Sequence, residues 1–237
     1  MYQWDDILIV GDSYAAYRWA PEHWPMALTL KLTGESFNEG RIPRGFGFAG
    51  SAWWSTRTGL LKELEIRVPK VLVICHTNSE RLQSDYNYGL NSGSVSNSKL
   101  VNVPIGDTNY STLVFIAAGL YYKFLHSTKF NVWAKVQWLL ELDSIIQSAG
   151  IPIVIHLPCL NDFIEFSPNK FGITLEEVLY QLGLEFYKDR ALDPAGLPVN
   201  HFEIPENVKM ADALYDTIIN FTPEQNGTIQ NLNLLQQ

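Results

Sequence analysis

Short, continuously apolar runs alternate along this chain with longer stretches in which apolar residues recur at helical spacing. The runs at 7–10 (Ile7-Leu8-Ile9-Val10) and 71–75 (Val71-Leu72-Val73-Ile74-Cys75), and the run that begins at Ile151 and ends at His156, are apolar up to their last residue without a polar alternation. That pattern predicts strands buried on both faces. Helical spacing predicts helices over 25–32, 53–64, 130–148, 174–182 and 205–219. Pro25 suits the first turn of its helix, and Thr33-Gly34 and Gly150 supply stops. A further strand is expected near 35–38, ahead of a glycine-rich loop. Strands alternating with helices in this order predict an α/β fold with a mostly parallel sheet and crossover helices. No internal repeat of convincing period is present.

Residues 83–110 break the rhythm, being dominated by Asn, Ser, Gly and Asp. A loop that long in a compact domain is either functional or solvated. It leaves the block that carries Asn78, so it reads as a polar insertion that is either a substrate lid or a plain surface excursion. The domain organisation expected is a single domain over 1–221 with an Asn/Gln-rich tail over 222–237, which either stays flexible or docks on a partner subunit.

Composition fits one enzyme-sized domain: 237 residues with 46% hydrophobic content are ample for a core. A net charge of −8 and a pI near 5.1 speak against a nucleic-acid surface, which needs clustered Lys and Arg. Cys75 and Cys159 lie in or just after apolar strand-like runs and read as buried free thiols. The N-terminus has no secretory apolar region and no stretch approaches the roughly 18 apolar residues of a membrane span. These features lead to the expectation of a protein made in the cytoplasm, with no membrane partner.

Four blocks carry the candidate chemistry. Gly11-Asp12-Ser13 stands directly behind the first apolar run, putting a hydroxyl nucleophile at the end of a strand, where α/β sheets collect ligands. Gly45-Phe46-Gly47-Phe48-Ala49-Gly50-Ser51 forms a glycine-rich loop before a helix. His76-Thr77-Asn78 ends the second strand. Asn200-His201-Phe202 stands just ahead of the last amphipathic helix. Each block alone also has a bland reading, since Gly-Asp-Ser is ordinary turn and capping chemistry.

Taken together and in this order, the blocks resemble the SGNH, or GDSL-type, hydrolases, over most of residues 7–220. The resemblance implies a three-layer sandwich, SGNH or flavodoxin-like, with a mostly parallel sheet flanked by helices. It implies Ser13 as nucleophile and His201 as its general base. The N–H groups of Ser13 and Gly50 and the side-chain amide of Asn78 would form the oxyanion hole. A serine needs a neighbouring imidazole to take its proton, and a tetrahedral oxyanion needs preorganised donors. No metal or other cofactor is implied. The run Thr77-Asn78-Ser79-Glu80-Arg81 is similar to a variant found in phage-encoded and other viral members, which suggests a virion-associated setting.

The chain departs from the family pattern at two places. Where the family has an Asp three residues before the histidine, this chain has Pro198. Asp193 is then the candidate third member of the triad, with Asp189 or a backbone carbonyl as alternatives. His76 replaces the family's usual glycine and either narrows or re-lines the pocket.

Trp53, Trp54, Phe46 and Phe48 flank the glycine loop, where they would stack on a sugar or else pack the core. Arg81 would anchor a loop or bind an anionic substrate. Trp53, Trp54, His76 and Arg81 are therefore the candidate substrate-binding residues. Asp12 reads as a capping residue rather than as the acid. His156 ends a strand and either lines the same face as Ser13 or is a satisfied structural histidine, the reading preferred here, and His23 and His126 lack ligand-spaced partners. The function expected is hydrolysis of an ester, carbohydrate O-acetyl esters before lipids. Acyl transfer to a sugar hydroxyl is an alternative. So is a catalytically weakened binding or structural protein of a virus particle, alone or as a homo-oligomer.

Overall fold

The computed structural model describes residues 1–11, 15, 21–38, 40–45, 47, 53–77, 82–83, 89–90, 117, 120–121, 123–157, 173–176, 204–222 and 229–231. Along these the elements run β1 (Ile7–Gly11), α1 (Trp24–Thr33), α2 (Trp53–Ile66), β2 (Val71–Cys75), β3 (Leu82–Gln83), β4 (Gly89–Leu90), α3 (Thr128–Ala149), β5 (Ile153–Leu157), β6 (Ile173–Glu176), α4 (Ile204–Ile219) and β7 (Ile229–Asn231).

Five of the strands form one sheet in the order β1-β2-β5-β6-β7, every neighbouring pair parallel. β1, β2 and β5 are buried at every position, as their unbroken apolar runs require of strands covered on both faces. Side chains alternate along them. Ile7, Ile9, Val71, Val73, Ile153 and Ile155 join a core cluster with Trp24, Leu28 and Leu32 of α1 and Met210, Leu214 and Ile218 of α4. Leu8, Val10, Leu72, Ile74 and Val154 join a second cluster with Leu60 of α2 and Trp138, Leu142 and Ile146 of α3. The chain is therefore α/β, with a parallel sheet and helices packed against it.

Helix ends follow the local signals. Pro25 sits in the first turn of α1, and Gly34 closes it at φ +70°, the left-handed conformation that glycine adopts without strain. The Ser127 hydroxyl caps α3 by accepting from the Phe130 N–H, and Gly150 at φ +66° ends it.

Three expectations change. Residues 35–38 are not a strand. Glu35 instead accepts from the Trp4 indole N–H at 2.7 Å and pairs with Arg41, while Phe37 packs against Trp4 and Met26. The edge of β1 is met further along, where the Ile9 N–H donates to the Arg44 carbonyl at 3.1 Å. The helix expected over 174–182 is displaced at its start, because Ile173–Glu176 is strand β6, paired with β5 on one side and β7 on the other. Neighbouring strands supply those backbone groups with partners on both sides, and this outweighs a local helical period. Ile229–Asn231, inside the stretch read as a tail, is the outer strand of the same sheet. The polar insertion opens with a short antiparallel pair, Leu82 opposite Leu90 and Gln83 opposite Gly89. The rest of that insertion, and the remainder of the expected helix, lie outside the described residues.

Candidate functional site

Parallel pairing sends β1, β2 and β5 out of the sheet at one edge. Their registers put Gly11 opposite Cys75 and Cys75 opposite Leu157, so the three strands end level. Gly11 is needed there: a Cβ on it would stand 2.5 Å from the Cys75 Cβ and 2.6 Å from its carbonyl oxygen. The glycine loop also makes a close approach. Gly45 has φ +72°, and a Cβ on it would lie 2.1 Å from a Leu8 methyl.

The helices are oriented toward the same edge. α2 finishes next to Arg67, which pairs with Asp5 and Asp6 at the opposite, amino end of β1. Its 14 residues span about 21 Å, so Trp53 and Trp54 start it near the carboxyl edge. The end of α1 likewise lies at the amino end, where the Leu32 carbonyl accepts from the Tyr2 N–H. The starts of α1 and α4 meet: the Trp24 N–H donates to the Asn207 side-chain oxygen at 3.0 Å. This contact satisfies a first-turn donor of α1, and Asn207 is fully buried. Helix N-termini gathered at one edge favour negative charge there.

A buried polar cluster occupies the ends of β2 and β5 on the side covered by α3. His76 Nε2 and His156 Nδ1 are 3.0 Å apart, one ring donating to the other, with ring centroids 5.3 Å apart and an interplanar angle of 18°. The His76 N–H donates to the Leu157 carbonyl at 2.8 Å. Lys135 of α3 donates from Nζ to the Thr77 carbonyl at 2.9 Å. Exposure is 4% for His76, 0% for His156 and 3% for Lys135, so the cluster is buried. Burial, followed by the charges of His156 and Lys135, holds the His76 imidazole well below its usual pKa, and the ring is neutral near pH 7. On the α1 side His23 is also buried, and burial pushes it down to about 4 against a small opposing effect of Glu22.

His76, one of the predicted residues, is 4% exposed and pairs with the fully buried His156. Trp53 is partly buried against the second core cluster. Trp54 is half exposed, packed edge to face on Trp53 at 5.7 Å. Arg57 lies over the Trp54 ring at 5.0 Å and over Trp138 at 5.9 Å, and forks onto both carboxylate oxygens of Glu141. Cys75 is buried, 6% exposed. Among the described residues no group of three His, Cys, Asp or Glu could hold a metal. Among them also, no helix is long and apolar enough to cross a membrane.

Ser13, Gly50, Asn78, Arg81, Asp189, Asp193 and His201 lie outside the described residues, as do Asp12, Phe46, Phe48, Cys159 and Pro198. Sequence reasoning missed Lys135 and Asn207. Both were detectable as polar residues on apolar stripes: Lys135 shares the spacing of Trp138, Leu139, Leu142 and Ile146, and Asn207 that of Met210, Ala211 and Leu214.

Compared with protein-family models, curated proteins and solved structures, the chain matches none.

Proposed function

We propose that this chain is a serine ester hydrolase with the SGNH arrangement, built as a three-layer sandwich, and that it removes acyl groups, acetyl foremost, from carbohydrate esters. One observation carries the reading. β1 and β2 are adjacent, parallel and in register, with Gly11 opposite Cys75. Ser13 follows Gly11 by two residues and Asn78 follows Cys75 by three. The segments bearing the nucleophile and the oxyanion amide therefore start from one point on the sheet. The helix N-termini at that edge favour the negative charge that develops, and the half-exposed Trp54 at the start of α2 offers a face to a sugar ring.

In this reading Ser13 Oγ attacks the ester carbonyl while His201 takes its proton. The tetrahedral oxyanion accepts hydrogen bonds from the Ser13 and Gly50 N–H groups and the Asn78 amide. His201 returns the proton to the departing sugar oxygen, and water, activated by the same imidazole, releases the acid from Ser13.

A fluorophosphonate tests the serine without knowledge of the substrate. The expected result is a single adduct on Ser13 by mass spectrometry, absent from Ser13→Ala and from His201→Ala while far-UV circular dichroism is unchanged. Acetylated sugars should then be turned over by the wild type only. Product analysis with a competing sugar alcohol separates hydrolysis from acyl transfer. Folded wild-type protein that fails to label would refute the enzyme reading and favour a structural or host-binding protein on the same fold.

A further inference from the structure

We propose that Lys135 is a positioning residue that sets the exit of β2 and, through it, the placement of Asn78. The catalytic part of this inference rests on the hydrolase reading above. α3 turns the side chains of Trp138, Leu139, Leu142 and Ile146 into the sheet, and a leucine or methionine at position 135 would continue that stripe. The chain has instead a lysine, 3% exposed, whose Nζ donates to the Thr77 carbonyl at 2.9 Å. A buried polar head group needs hydrogen-bonding partners that an apolar side chain would not, so packing alone gives no reason for it.

What the ammonium grips is informative. The Thr77 carbonyl belongs to the peptide unit whose N–H is that of Asn78, so fixing this oxygen fixes the plane from which residue 78 departs. The preceding residue is held from the other side, by the His76 N–H on the Leu157 carbonyl at 2.8 Å and by the His76 ring on His156 at 3.0 Å. Together these bonds clamp residues 76 and 77 between α3 and β5 where β2 leaves the sheet. An oxyanion donor works only if it is already in place when charge develops, and supporting contacts of this type supply that placement.

The test compares wild type with Lys135→Met and Lys135→Gln, each alone and combined with Asn78→Ala. Two readouts are used: the rate of fluorophosphonate labelling at Ser13, and amide hydrogen exchange over 76–80. Lys135→Met should label about 10²-fold more slowly, the loss that follows a misplacement of roughly 1 Å, with kcat on an ester falling and KM little changed. In the Asn78→Ala background the same substitution should cost less than about twofold, because the pair then acts as one unit. Exchange over 76–80 should speed up. An unchanged labelling rate, unchanged exchange, or a full loss that persists without the Asn78 amide would each overturn the inference. So would failure of both Lys135 variants to fold, which would make the lysine a folding residue. A wild type that does not label defeats the hydrolase reading itself, and is distinguished from a reactive wild type whose Lys135→Met variant is unimpaired.

Discussion

Gly11 and Gly45 show how single positions shape the carboxyl edge of the sheet. At Gly11 the obstacle is the Cys75 backbone, 2.6 Å from where a Cβ would stand, and backbone in a central strand cannot swing aside. Gly11→Ala is therefore expected to lose stability at the upper end of the range of about 1–3 kcal/mol typical of overpacking, read as a lower urea midpoint. A wild-type midpoint would show that the two strands can separate there. His76 is the opposite case, a bulky residue accommodated by company. Its ring is neutral and hydrogen-bonded to His156, so a polar group at this buried position has a partner on the adjacent strand.

At the level of elements, charged and apolar contacts hold α2 and α3 with unequal weight. The Arg57–Glu141 fork lies at the surface, with the Glu141 side chain 44% exposed. The ion pair lowers the Glu141 pKa and raises that of Arg57, yet water and salt screen such a pair. Leu142, next along α3, is fully buried in the second core cluster. Leu142→Ala is expected to destabilise by about 2–5 kcal/mol, and Glu141→Gln by less than about 1 kcal/mol. Chemical denaturation of the two variants side by side checks the order, and the reverse ranking would mean that the helices are held by charge. β6 makes a related point about elements. Ile173–Glu176 takes up a strand because β5 and β7 flank it, not because of any strong local preference.

For the molecule as a whole, acid should be the weak side. His23 is buried with its pKa pushed down to about 4, so between that value and about 6.5 the unfolded chain binds a proton that the folded chain refuses. The resulting stability is complete above about pH 6.5 and is lost as the pH falls toward 4, by up to about 3 kcal/mol for this one group. His76, depressed in the same direction, adds to the loss. Asp6 acts in the same sense at lower pH. Burial would raise its carboxyl, but hydrogen bonds from the Gln3 N–H and Lys70, with Arg67 nearby, hold it below the usual range, and that stability goes as it protonates. Urea midpoints at pH 7 and pH 4.5 should therefore fall in the wild type and fall less in His23→Gln. An equal fall in both would remove His23 from the account.

Strands β1, β2 and β5 were legible in the sequence because their apolar runs carry the signature of burial on both faces within four or five residues. The helices were legible from spacing and from Pro25, Gly34 and Gly150, which act on their own immediate backbone. The burial of Cys75 and His156 followed from their place in such runs. What lay beyond the sequence depended on partners distant along the chain. Whether 35–38 or Arg44 would meet the edge of β1, whether 173–176 would be helix or strand, and whether 229–231 would join the sheet were each decided by which backbone groups found neighbours. The same holds for the carboxyl edge: His76 against His156, 80 residues apart, and Lys135 under Thr77, 58 apart, are pairings fixed by register and helix packing. Local propensity governs a turn or a cap, while a buried hydrogen bond between distant residues exists only once the whole sheet has set their separation.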